Sequence, residues 1–440
     1  ALFGPELAEE YLRQIQDHEI YVHDETSLKP YCASITMYPL LTEGLRSIGG
    51  ESRPPRHLES FCGSFVNLVF GISSQFAGAL ATVEFLMYFD HFARKDYGSN
   101  YLKSHTQLIA NHLQHVVYAI NQPAAARGYQ SVFWNISLYD RFYFEALFGS
   151  FFFPDGDQPN WESLEKLQEF FLSWFNNERK KALLTFPVVT AAMLTEEKQP
   201  KDKNFQRMCA KELSEGNSFF MYMSESADSL ASCCRLRNAI DQREFSYSLG
   251  AGGVATGSIK VITINMNRIA QRGIDLREIL KKIHCYQVAY RKIMEEYLDA
   301  GMLTAYSAGF IDLKKQFLTI GINGFAEAAE FSGIPPTNNT HYREFIRSKL
   351  GLIYDANREA EKKYGYKFNT EFVPAENLGV KNSLWDKRDG LMVNRDCYNS
   401  YFYLVENEDC NPIDKMVLHG TERSEEHTSE LQSLRHLVCR

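Results

Sequence analysis

The chain has 440 residues, 45% hydrophobic and 23% charged, enough apolar side chain for one large buried core or two medium ones. Its formal charge of −8 excludes a non-specific grip on nucleic acid or an anionic membrane, so a phosphorylated ligand has to be held by local donors. Nine cysteines at irregular spacing, with no CxxC pair, form neither a disulfide framework nor a zinc knuckle, and reduced thiols in the cytoplasm are expected.

No charged-then-apolar leader follows Ala1. Residues 65–89 are the most membrane-like stretch, but Asn67, Ser73, Ser74, Gln75, Thr82 and Glu84 interrupt it, and a buried soluble helix is expected. Residues 184–189 read as a strand broken by Pro187. The run Gly250-Ala-Gly-Gly-Val-Ala-Thr-Gly257 has neither GxGxxG register nor a GK[ST] end, which leaves a loop near a ligand or a plain hairpin connection. Residues 260–265 are short and β-branched, as a buried strand requires. In 279–300, Ile283, Val288, Ile293 and Leu298 recur among charged residues at helical spacing, and Gly301 offers a stop. A further strand at 317–320 runs through Gly321 and Gly324 into a helix at 325–331. A second amphipathic helix at 341–364 is closed by Gly365. Strands alternating with helices give an α/β class, and the absence of repeats or linkers favours one domain.

The chemistry-bearing feature is Ser232-Cys233-Cys234-Arg235-Leu236-Arg237. Adjacent cysteines cannot face one pocket from a strand, where side chains alternate, but both can from a tight loop. Two readings stand side by side: a buried pair of core thiols, or reactive thiols in the electropositive setting of Arg235 and Arg237. His23-Asp24 is read either as a structural pair or as a catalytic one.

Ala231-Ser-Cys-Cys-Arg-Leu-Arg237, followed by Val261-Ile-Thr-Ile-Asn-Met-Asn-Arg-Ile-Ala270, resembles the finger loop and following strand of anaerobic (class III) ribonucleotide reductases. Four more segments resemble that family in the same order. They are Tyr21-Val-His-Asp24 with Lys29-Pro-Tyr-Cys32 and Leu40-Leu-Thr-Glu-Gly44; Arg127-Gly-Tyr-Gln-Ser-Val-Phe-Trp-Asn135; Leu318-Thr-Ile-Gly-Ile-Asn-Gly-Phe325; and Val373-Pro-Ala-Glu-Asn-Leu378.

The resemblance implies a ten-stranded α/β barrel around a central finger loop, incomplete at both ends. It implies radical reduction of ribonucleoside triphosphates to 2′-deoxyribonucleotides. Cys234 maps onto the thiyl position that takes the ribose C3′ hydrogen, and Cys32 onto the thiol that gives hydrogen on the opposite step, in preference to Cys62. Gln130, Ser131 and Asn135 map onto the substrate side of their strand. The loop Pro374, Ala375, Glu376 and Asn377 maps onto a phosphate cradle. Implied as well are a glycyl radical made by an S-adenosylmethionine iron–sulfur activase, dNTP and ATP effectors, a homodimer, and zinc in a C-terminal part. Neither a radical glycine nor a zinc cluster can be placed within the chain, and an N-terminal ATP-cone is expected to be absent, so the fragment is expected to be inactive alone.

Formate-using relatives carry Met-Gly-Cys-Arg at the finger loop. Here Ser232-Cys233 precedes Cys234, so Cys233 is read as a third thiol, served by a thioredoxin- or glutaredoxin-like reductant. The alternative is a lyase or acyltransferase of the pyruvate formate-lyase type, which also has adjacent finger-loop cysteines. The catalytic part is expected to span 1–422. Residues 423–440, beginning Arg423-Ser-Glu-Glu-His-Thr-Ser-Glu-Leu-Gln-Ser433, read as translated sequencing adaptor, not native chain.

Overall fold

The computed structural model describes residues 2–123, 130–197, 199–225, 227, 229–232, 236–239, 255–372, 376–401, 411, 414 and 418. Cys233, Cys234, Pro374, Ala375 and the 423–440 tail lie outside the described residues, as does most of the 250–257 run. The described strands are β1 (Ile20–Val22), β2 (Cys32–Ser34), β3 (Leu80–Ala81), β4 (Trp134–Tyr139), β5 (Val188–Glu196), β6 (Gln199–Pro200), β7 (Phe220–Ser224), β8 (Ser229–Ser232), β9 (Leu236–Ala239), β10 (Thr256–Asn265), β11 (Phe317–Asn323) and β12 (Lys367–Glu371). Ten belong to one mixed sheet interspersed with helices, and β8 and β9 pair with each other. The architecture is α/β. The chain divides into two compact units, each assembled from separated segments.

The first unit comprises the described residues of Ala1–Tyr31, Ser258–Glu296 and the chain from Lys314 on. In it β1 runs antiparallel to β10, while β10, β11 and β12 are parallel. One face is aliphatic. Ile262 and Ile264 of β10 and Ile320 and Ile322 of β11 pack with Ile279, Leu280 and Ile283 of helix Leu276–Asp299. Ile346, Leu350 and Ile353 of helix Thr340–Tyr364 join them, and Gly365 closes that helix in the left-handed region at φ 73°. The opposite face is polar and close-packed. A Cβ on Gly321 would meet Thr263 Oγ1 at 2.0 Å, so glycine there lets the threonine lie across β11.

A buried ion network closes this unit. Arg268, fully inaccessible, donates through Nε to Asp386 at 2.7 Å and through Nη1 to Asp389 at 2.6 Å. Asp386 also accepts from Asn265 (3.0 Å), Asn267 (2.8 Å) and the Tyr398 hydroxyl (2.7 Å). It sits in the last two turns of helix Glu376–Arg388, whose first residues follow Val373-Pro-Ala.

The second unit comprises the described residues of Cys32–Gly257 and Tyr297–Leu313. Strands β2, β3, β4, β5 and β7 are parallel in that order, and β6 folds back on β5. One face carries the helices: Trp134 packs at a tilt on Phe65 and edge-on to Phe85, and donates through Nε1 to Thr82 at 2.8 Å. The helix expected over 65–89 is two helices, Leu58–Ser73 and Phe85–Tyr97, with β3 between them. Ser73 and Ser74 fold their hydroxyls onto the carbonyls of Phe70 and Gly71, and the chain turns there. The strand expected at 184–189 begins only at Val188, because Pro187 has no N–H for a ladder, and runs on to Glu196. No described helix is long and apolar enough to cross a membrane.

Candidate active site

Parallel pairing aligns Ser34 with Ala81, Ala81 with Asn135, and Asn135 with Val188. Paired residues share a face, and so do residues two apart on one strand. Cys32 and Ser34 of β2 therefore face the same way as Asn135 and Ser137 of β4, opposite the side on which Trp134 meets the helices. Between them lie only the methyl groups of Ala81 and of Ala79, two residues earlier. Strands stand about 4.8 Å apart, so the two polar ridges flank a trough about 10 Å wide with a small-residue floor. Thr190 of β5, the partner of Ser137, extends the second ridge.

Every member is buried: Cys32, Ser34, Ala79 and Ala81 are at most 1% exposed, and Asn135, Ser137 and Thr190 at most 3%. The Ala79 amide donates to Cys32 Sγ at 3.3 Å, holding the sulfur over the floor. Gly257, the second residue of β10, backs onto the same place. A Cβ there would stand 2.1 Å from the Cys32 carbonyl oxygen, and its φ of +154° also favours glycine. The glycine seen in the sequence as a loop residue is thus what permits close backbone approach at Cys32. The trough also holds two hydroxyls, Ser34 Oγ and Ser137 Oγ, buried without a hydrogen-bond partner.

The other expected site residues fall in several places. Asn135 is on the trough. The Ser131 hydroxyl donates to the Asn121 carbonyl at 2.8 Å, and Gln130 is exposed. Cys62 is buried in helix Leu58–Ser73, where desolvation pushes its thiol up. Cys233 and Cys234 lie outside the described residues, but the β8–β9 ladder reaches Ser232 paired with Leu236 on either side of them. In the first unit, Glu376 opens helix Glu376–Arg388 and Asn377 is exposed. His23 bonds through Nε2 to Thr263 Oγ1 at 2.8 Å, a partner on β10 and not the neighbouring Asp24. Burial, then the charges of Lys260 and Lys381, hold the His23 imidazole neutral with a pKa near 4.

Sequence reasoning missed Ser34, Ser137 and Glu84. The two serines were visible as period-two partners of Cys32 and Asn135, once those strands were taken as parallel and buried on both faces. Glu84 lies past the end of β3, 1% exposed, accepting from the Met37 amide at 2.9 Å and the Thr36 hydroxyl at 3.2 Å. Burial lifts its carboxyl from 4.5 to about 8. Between those values the folded chain holds a proton that the unfolded chain has released. That contribution to stability is full below 4.5, shrinks as pH rises, and is gone above about 8, at roughly 1.4 kcal/mol per pH unit. Glu84→Gln keeps an acceptor without the charge, so urea unfolding at pH 5, 6.5 and 8 should show the variant gaining on the parent protein as pH rises. Parallel stability profiles would contradict this reading of Glu84.

Among the described residues no cluster of His, Cys, Asp and Glu could hold a metal. The model of the anaerobic ribonucleoside-triphosphate reductase family matches residues 4–426. No curated protein matches the chain. Solved structures do. The anaerobic ribonucleotide reductase of Thermotoga maritima with citrate in the active site is 27% identical with a TM-score of 0.83, over 96% of this chain and 78% of that one. The same enzyme in complex with dATP and CTP gives 28% and 0.84, over 95% and 72%. With dATP in the specificity site it gives 27% and 0.83, over 95% and 73%. A ten-stranded α/β sheet, a buried cysteine on a polar strand face and a family match over nearly the whole length converge: this chain belongs to the anaerobic ribonucleoside-triphosphate reductases, oxidoreductases that make deoxyribonucleotides.

Proposed function

We propose that the trough between β2 and β4 receives the ribose of a ribonucleoside triphosphate and that Cys32 delivers hydrogen to its 2′ carbon. The observation that carries this is the place of Cys32: a fully buried thiol over a floor of small side chains, facing Asn135 across a slot of sugar width. Exclusion of water protects radical chemistry from quenching, and the burial of all seven trough residues fits that need.

The glycyl radical of the family supplies the unpaired electron when it is present. Cys234, mapped onto the finger loop, takes the C3′ hydrogen and later returns it. In between, the 2′ C–O bond breaks and the oxygen leaves as water with a proton. Cys32 and Cys233 together give the two hydrogens and two electrons that turn C–OH into C–H plus water, and close a disulfide between them. A thioredoxin- or glutaredoxin-like partner reopens it. In its own unit, the 373–377 segment is the phosphate-binding candidate that the family resemblance implies, next to the start of helix Glu376–Arg388, which the Asp386–Arg268 network fixes. Nucleotide effectors, such as the dATP seen in the Thermotoga enzyme, a homodimer and an S-adenosylmethionine iron–sulfur activase complete the system.

Binding separates this from the lyase reading, because cleavage of a keto acid needs no nucleoside site. Calorimetric titration of the protein with CTP and with pyruvate should give saturable binding for CTP alone. Pyruvate binding without CTP binding would reverse the assignment.

A further inference from the structure

Ser34 is a polar residue of the trough that the proposed chemistry leaves unused. It lies two positions past Cys32 on β2, fully buried, with its hydroxyl unpaired. A buried hydroxyl with no partner costs stability, and a fold retains one where something else supplies the bond. Ser137 is also unpaired, but it adjoins Tyr139, whose own hydroxyl donates to the Val83 carbonyl at 2.8 Å. Ser34 has the Ala81 methyl as its register neighbour, so it stands beside the small-residue floor of the trough.

We infer that the Ser34 hydroxyl hydrogen-bonds the ribose 3′-hydroxyl and selects ribose with that group present. This rests on the placing of ribose in the trough. Two residues along a strand span about 6.6 Å, so a sulfur at Cys32 and an oxygen at Ser34 bracket adjacent carbons of one furanose ring. With Cys32 against the 2′ carbon, the group within reach of Ser34 is the neighbouring 3′-hydroxyl. The contact positions the C3′–H bond as well, because it fixes the rotation of the ring about the trough axis. Ser34 is thus a specificity and positioning residue, acting on a part of the substrate that the thiols do not hold.

The test is a cycle between residue and substrate group. Affinities for CTP and 3′-deoxyCTP are measured by calorimetry on the parent protein, Ser34→Ala and Ser34→Thr, with thermal unfolding of each. The parent should prefer CTP by roughly tenfold, the size of one hydrogen bond. Ser34→Ala should bind both nucleotides equally, at the 3′-deoxy level. Its melting temperature should be no lower than the parent's, since no internal bond is lost. Ser34→Thr, which keeps the hydroxyl, should retain the preference. If Ser34→Ala keeps the tenfold preference, the hydroxyl serves an ordered water only and the inference falls while the ribose site stands. If the parent binds neither nucleotide, the ribose site itself is wrong and the inference falls with it.

Discussion

Cys32→Ser in the complete, activated protein is expected to lower deoxyribonucleotide formation by more than about a thousandfold, a barrier increase of roughly 4 kcal/mol or more. Serine is nearly isosteric and keeps a polar group over Ala79, so the trough should survive. The O–H bond is too strong to give its hydrogen to a carbon radical, so the 2′ carbon has no donor. The variant should still bind CTP and still unfold at the parent temperature, which separates lost chemistry from lost structure. Turnover within tenfold of the parent would show that Cys32 is a packing residue and would move attention to Cys62.

The largest stability effect is expected from Asp386→Ala. Its carboxylate is fully buried and accepts from Arg268, Asn265, Asn267 and Tyr398. Removing it leaves the inaccessible Arg268 with Asp389 alone and takes the acceptor from Asn265, Asn267 and Tyr398, and breaking a buried pair by deleting one partner costs about 3–5 kcal/mol. Urea unfolding should show that loss with an unchanged m-value. Asp386→Asn should lose less, since an amide oxygen still accepts while the charge is gone. Replacing both Arg268 and Asp386 by apolar residues should recover part of the loss, because the Arg268 Nε left without its acceptor contributes to the penalty. A loss under about 1 kcal/mol for Asp386→Ala would mean water reaches Arg268.

The parts legible in the sequence were those with a strong local signature. Helices Leu276–Asp299 and Thr340–Tyr364 show helical periodicity because one side of each packs on isoleucines of β10 and β11 and the other side is wet. The β-branched runs of β10 and β11 stand out because both faces are covered. The same two-sided burial hid the rest. Residues 65–89 are mostly apolar, and the few polar residues among them do not by themselves mark where one helix ends, a two-residue strand crosses, and the next helix starts. In the candidate site, Cys32 and Asn135 were named through family resemblance, whereas Ser34 and Ser137 were passed over. A small polar residue in a buried strand looks like an ordinary core position until the register puts it beside a residue of the candidate site. Gly257 was misjudged for a related reason: a close approach to the Cys32 carbonyl is tertiary, and its sequence neighbours suggest only a loop.

The central claim is that the hydrogen arriving at the 2′ carbon comes from a thiol of the trough. Thiol hydrogens exchange with solvent, whereas the ribose C–H hydrogens do not. Turnover of CTP by the complete, activated protein in deuterium oxide, followed by NMR of the product, tests it directly. The account predicts dCTP with one deuterium at C2′ and its original hydrogen at C3′, and no product from Cys32→Ser. Unlabelled dCTP, or labelled dCTP formed equally well by Cys32→Ser, would contradict it.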